Sequence, residues 1–203
     1  MPSQQIQSVY FVDSSLADLD TLLAGLPQGA EVVLLQPDQD GLTQMVEALA
    51  GRSDIDALHV LTHGAPGAIN LGSSTLDSAT LADAADSLQT IGQSLSADAD
   101  ILFYGCNVAA NEEGKALITS IAELSGADVA ASEDLTGANQ RAGDWDLEAS
   151  TGAIEAAGIT AFNFDGTLAL PGAHSASQSG EVFLGGNYIE LGISAVGSFD
   201  HQQ

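Results

Sequence analysis

Positive charge is nearly missing from this 203-residue chain: Arg52, Lys115 and Arg141 stand against 28 Asp and Glu, a formal net charge of −25. A surface of that sign repels nucleic-acid phosphates and anionic lipid heads, so no nucleic-acid partner is expected; cations, basic peptides and calcium-rich surroundings are favoured instead. The same imbalance makes the compact state repel itself, a cost that salt or divalent ions relieve. Cysteine is equally scarce. Cys106 is the only one, so no internal disulfide can form, and the thiol is either core filler or chemistry. No window approaches the roughly 18 to 20 apolar residues of a membrane span, and no membrane insertion is expected. The opening MPSQQIQSVYFVDSS carries neither the basic segment nor the apolar run of a secretion signal. An extracellular or cell-surface location is expected only through a signal outside this chain. Tryptophan occurs once, at Trp145, and reads as a packing anchor.

Apolar residues, by contrast, make up 45% of the chain and charged ones 15%, which is ample for a core. The length suits one domain of ~150 residues plus a short remainder. VYFVD (9–13) reads as a strand, followed by a Ser14/Ser15 cap and a leucine-rich helix. EVVLLQ (31–36) is a second strand, and LTQMVEALAG a helix that Gly51 stops. A third strand runs from Ala57 to Thr62 and ends at His63-Gly64. A Gly- and Ser-rich stretch with a small hairpin at INLG leads to a helix capped near Asp77 or Ser78. ADILFYG (99–105) is the fourth strand, ending at Cys106. A helix over 111–124 stops at Gly126, and ADVAA (127–131) is a fifth strand. Near-continuous apolar strands alternating with amphipathic helices predict parallel strands covered on both faces, an α/β three-layer sandwich. From Leu135 the pattern becomes Gly-rich, with short strands expected at the sheet edge. Residues 8–168 are taken as the domain, 169–180 as a linker, and 181–203 as the incomplete start of a following β-type segment.

Ligands and catalytic groups gather outside the carboxyl ends of the strands in an open parallel sheet. His63 and Cys106 both fall there, 43 positions apart, one strand-helix-strand crossover. Adjacent strands would bring them within about 5 Å. A thiolate attacks a carbonyl, and an imidazole takes or stabilises the thiol proton. Gly64 and Gly105 lack a Cβ, so the N–H groups of Gly64 and Cys106 can approach a substrate oxygen as an oxyanion hole. Taken singly, the bland readings carry more weight: a lone cysteine is commonly buried, and a lone histidine after a strand commonly a loop residue. Their occurrence at successive strand ends is what favours chemistry.

An apolar strand followed by HG, a hairpin-like stretch and a second apolar strand ending in GC resembles the caspase-like fold of clan CD cysteine peptidases. LTHG, LFYGCNVA, SEDLTG and GDWDLE resemble more closely the recurring segments of DUF4347, a domain near the N-termini of very large bacterial surface and adhesin-like proteins. The resemblance spans about residues 8 to 165. It implies His63 as catalytic imidazole, Cys106 as nucleophile, and strand order 2-1-3-4 at the sheet's core. Relatives that carry an acidic or amide pocket residue two places before the nucleophile have Tyr104 as their counterpart here, so substrate preference does not carry over. Asp13, at the end of the first strand, is a candidate for facing His63 or a basic substrate side chain; Asn107, Glu133 and Asp134 are candidates for the same pocket.

No HExxH, paired cysteines or DxDxDG loop occurs, so no metal centre or cofactor is expected, although carboxylates such as those of GDWDLE offer calcium ligands. Three functions remain open: a cysteine peptidase acting on a peptide or on its own polypeptide, a non-catalytic binding or capping module among other domains of an adhesin, and a calcium-stabilised structural domain.

Overall fold

The computed structural model describes residues 7–159, 163–169, 183–184 and 187–188. The chain divides into two compact units, Met1–Leu170 and Pro171–Gln203. In the second, β10 (Phe183–Leu184) and β11 (Asn187–Tyr188) pair antiparallel. Beyond Ala169 the expected linker lies outside the described residues, as does the segment 181–203 apart from these two strands.

The first unit is α/β. Its main sheet contains β1 (Ser8–Asp13), β2 (Glu31–Leu35), β3 (Ile55–Leu61), β7 (Leu95–Tyr104), β8 (Asp128–Ala131) and β9 (Ala149–Ser150), in the order β2-β1-β3-β7-β8-β9. All pairings are parallel except β8 with β9. A separate hairpin sheet of β4 (Gly64–Ala65), β5 (Ala68–Leu71) and β6 (Ser74–Asp77) leaves the end of β3, which enlarges the hairpin expected at INLG.

Strand alternation sorts the core into two layers. Val9, Phe11, Leu58 and Val60 face a cluster that includes Leu42, Met45 and Leu49 of α2 (Gly41–Leu49), Leu88 and Ile91 of α3 (Leu81–Gly92), and Leu117, Ile118 and Ile121 of α4 (Glu112–Ser125). Tyr10, Val12, Ala57, Leu61, Leu102 and Tyr104 face the other. Among the described residues one short helix, α1 (Leu19–Ala24), covers that second face, and Ile159, Phe164 and Leu168 complete it. Among the described residues no helix is long and apolar enough to cross a membrane.

Helix ends follow their side chains. Asp40 accepts from Thr43 N–H at 2.7 Å to start α2, and Asn111 accepts from Gly114 N–H at 2.8 Å to start α4. Gly126 ends α4 with φ 76°, a conformation other residues enter at a cost. The expected Ser14/Ser15 cap does not form. Ser14 donates to Leu35 O, and Ser15 gives both its N–H and its hydroxyl to Asp13 Oδ1. This turn consumes the capping groups and delays α1 to Leu19. All three basic side chains are engaged: Arg52 with Glu31, Lys115 with Glu133, and Arg141 with the Asp165 carbonyl.

Candidate active site

The β3/β7 register pairs Leu61 with Tyr104. Carried two residues on, it sets His63 beside Cys106, on the face where Cys106 joins Tyr104 and Leu168 in the core cluster. The two backbones stay in contact past the strand ends: a Cβ on Gly64 would stand 2.7 Å from both the Cys106 oxygen and the Gly105 carbonyl carbon. Gly64 is therefore required by close approach rather than by an unusual φ, whereas a Cβ on Gly105 would meet Gly64 N at 3.2 Å, a tight contact that a shift of a few tenths of an ångström relieves. Gly64→Ala is expected to force these strands apart and destabilise the unit by about 1–3 kcal/mol, measurable by urea unfolding. An unchanged midpoint would mean the contact relaxes freely.

Cys106 is wholly buried, and its sulfur donates to Thr136 O at 3.5 Å. Burial pushes the thiol up to about 11, against a smaller opposite pull from the backbone of Thr136 and Leu168. His63 is also buried, its Nδ1 lying 3.2 Å from Leu168 O. That carbonyl simultaneously accepts from Gly64 N–H at 3.2 Å. One of the two expected oxyanion donors is thus already holding a peptide carbonyl. Among the described residues no backbone carbonyl takes the other, the Cys106 N–H.

The carbonyl belongs to the Gly-rich stretch after Leu135, where short edge strands are expected. Leu168 N–H donates to Thr136 O at 2.9 Å, and Ala138 N–H to Gly166 O at 2.8 Å. Thr167 bridges Gly137 antiparallel and Ala169 bridges Gly64 in parallel. Residues 166–169 therefore lie between the Thr136–Ala138 loop and the end of β3 as an added strand, with the Leu168 side chain fully buried.

The candidate pocket residues are placed as follows. Asp13 is buried, but strand alternation turns it to the face opposite His63. There its Oδ1 binds Ser15 and its Oδ2 accepts from Gly72 N–H at 3.3 Å, so it anchors a turn and does not face the imidazole. Tyr104 is fully buried and its hydroxyl accepts from Ile159 N–H at 3.1 Å, which makes it the floor of the core cluster and not an open specificity wall. Asn107, with φ 60°, bends the chain away just after Cys106 and donates its N–H to Asp134 O. Glu133 pairs with Lys115 at 2.9 Å. Asp134 is exposed, its carboxyl held above the usual range by desolvation and by Glu148, Asp144 and Asp146.

Two carboxylate groups bring ligand atoms within 4.8 Å of one another: Asp134, Asp144 and Glu148, which includes two residues of GDWDLE, and Asp100, Asp128 and Glu155. Among the described residues, these are the groups whose spacing would let them hold a divalent cation. Asp100 is the buried member; its Oδ2 accepts from the N–H groups of Glu155 and Ala156, while Oδ1 has no hydrogen-bond partner among the described residues. His59, inside β3, is packed: its ring stacks on Tyr10 with centroids 4.3 Å apart and lies 6.0 Å from Tyr104. Trp145 extends this row of rings to Phe164, the packing role expected of it.

The fold and the site together define an α/β module with a thiol and an imidazole at the carboxyl ends of adjacent parallel strands. The family model described as a domain of unknown function, DUF4347, matches residues 9–167, and the chain belongs to that family. No curated protein and no solved structure matches it.

Proposed function

We propose that this chain is a caspase-like cysteine peptidase module, held closed by its own segment, that processes its own polypeptide within a large secreted or surface adhesin-like bacterial protein. One observation carries the enzyme reading. A peptide carbonyl rests on Gly64 N–H and beside His63 Nδ1, at the strand-end pair that includes the only thiol. An acyl-transfer site needs a nucleophile, a proton carrier and a donor for the developing oxyanion, and these three groups supply them. The caspase-like reading rests further on the sheet order, in which the first strand lies between the second and the third, and β7 follows. The adhesin setting and the domain limits 8–168 rest on the family resemblance and on the acidic, lysine-poor composition.

A second reading, a non-catalytic capping or binding module, is favoured by the buried, protonated state of Cys106. The two separate once the segment is displaced. In a Leu168→Asp background, a peptidyl electrophile should label Cys106, and adding His63→Ala should slow that labelling about 100-fold, the lower end of what positioned proton transfer supplies. Labelling that ignores His63 would reduce Cys106 to an exposed thiol and leave the capping module standing.

A further inference from the structure

We infer that residues 166–169 occupy the site as its substrate and that the bond cut is Leu168–Ala169. This rests on the peptidase reading and names its substrate.

An acyl-transfer site marks its scissile carbonyl as the one whose oxygen sits on the oxyanion donors. In the described residues that oxygen is Leu168 O, held by Gly64 N–H at 3.2 Å with His63 Nδ1 at the same distance. The rest of the segment is bound as peptides are bound by strand addition, with main-chain hydrogen bonds fixing register and one side chain buried for specificity. Leu168 N–H donates to Thr136 O, Ala138 N–H donates to Gly166 O, and the Leu168 side chain fills the apolar cluster beside Cys106. Leu168 is near enough to the sulfur for its backbone to act on the thiol. Ala169, on the leaving side, continues along Gly64. The carbonyl, the side chain before the bond and the chain after it are each held separately, which fixes the orientation of the peptide at the site.

The chemistry closes without any co-reactant except water. With His63 Nδ1–H directed at the Leu168 oxygen, the Cys106 proton passes to Nε2 of the same ring as the sulfur attacks the Leu168 carbonyl carbon, forming the C–S bond and placing negative charge on the oxygen at Gly64 N–H. Collapse breaks the C–N bond, and His63 returns the proton to the Ala169 amine. Water then adds to the Leu168 thioester, giving one proton to His63; the C–S bond breaks, Leu168 leaves as a carboxylic acid, and Cys106 recovers its proton. A leucine in the buried position is consistent with the apolar lining: no cationic side chain comes from this segment, and Tyr104 forms the floor.

The test is intact-mass analysis of the full chain incubated under reducing conditions, with and without hydroxylamine. Two fragments are expected, Met1–Leu168 and Ala169–Gln203, and hydroxylamine should convert the C-terminal Leu168 to its hydroxamate, the signature of a thioester. Cys106→Ala should lose the fragments, and so should the more conservative Cys106→Ser, each checked for native circular dichroism. Cleavage that depends on Cys106 but falls at another bond overturns the assignment and leaves the peptidase reading intact. So does an uncut chain whose Cys106 shows His63-dependent labelling in the opened variant. An uncut chain whose opened variant shows no such labelling overturns both.

Discussion

Replacing Leu168 with Asp is expected to raise the rate at which a small thiol reagent modifies Cys106 at neutral pH by at least about 100-fold. The sulfur is 0% exposed and burial holds its proton up to about 11, against an ordinary 9.0. Thiol reagents react with the thiolate, so restoring solvent alone recovers about tenfold for each unit of pKa regained. Leu168 is the side chain that closes the site, also 0% exposed, and its burial contributes roughly 1.5–3 kcal/mol. A carboxylate is a poor replacement, because the side chains described around it in that cluster are apolar and a buried unpaired charge costs several kcal/mol more. The remaining ties of the segment are a few main-chain hydrogen bonds worth about 1 kcal/mol each, so the segment should leave before the sheet unfolds. Leu168→Ala removes apolar burial without adding charge and should give a rate between the two. Labelling kinetics followed by mass spectrometry, beside the unfolding midpoint, separate local opening from global unfolding. A rate unchanged from the native chain would mean that the sheet and helices, not residues 166–169, bury the thiol.

Much of the scaffold around this site was legible because local signals and packing agree. Asn111 and Gly126 bracket α4 by cap chemistry, and the apolar strands near 9, 57 and 101 are central strands covered on both sides. His63 and Cys106 were legible for a related reason: each follows an apolar strand directly, and one crossover separates them. The start of α1 was not, because Ser14 and Ser15 serve two competing partners, a helix end and the Asp13 carboxylate, and the second wins. The position of Asp13 was readable in principle. Counting alternate residues along β1 puts it with Val9 and Phe11, away from the His63 face. The occupant of the site was the least legible part. Residues 166–169 are short, contain glycine and follow an irregular stretch, so no periodicity announces a strand. Their partners, Gly64 and Thr136–Ala138, are distant in sequence, and main-chain hydrogen bonds leave no residue pattern to read.

His59 should make the folded unit sensitive to acid by about 3 kcal/mol, and His59→Phe should remove that sensitivity. The ring is 1% exposed, lies between Tyr10 and Tyr104, and has a buried Nδ1 with no hydrogen-bond partner among the described residues. Desolvation disfavours the charged imidazolium and lowers its pKa from 6.5 to about 4. The unfolded chain therefore takes up the proton first as the pH falls. The stabilisation is complete above pH 6.5, declines below it, and is gone once the pH drops through about 4. At about 1.4 kcal/mol per unit of pKa, the shift corresponds to the ~3 kcal/mol expected. Phenylalanine keeps a flat ring in the stack and removes both the titration and the unpartnered nitrogen, so the variant should be at least as stable as the native chain at neutral pH. Urea unfolding of both proteins at several pH values between 4 and 7 checks this, because carboxylates elsewhere affect the two chains equally and cancel in the difference. If the gap between the two stabilities fails to widen as pH falls, the ring is not held neutral by the sheet. In that event the row of rings beneath Cys106 is more open to water than its burial indicates.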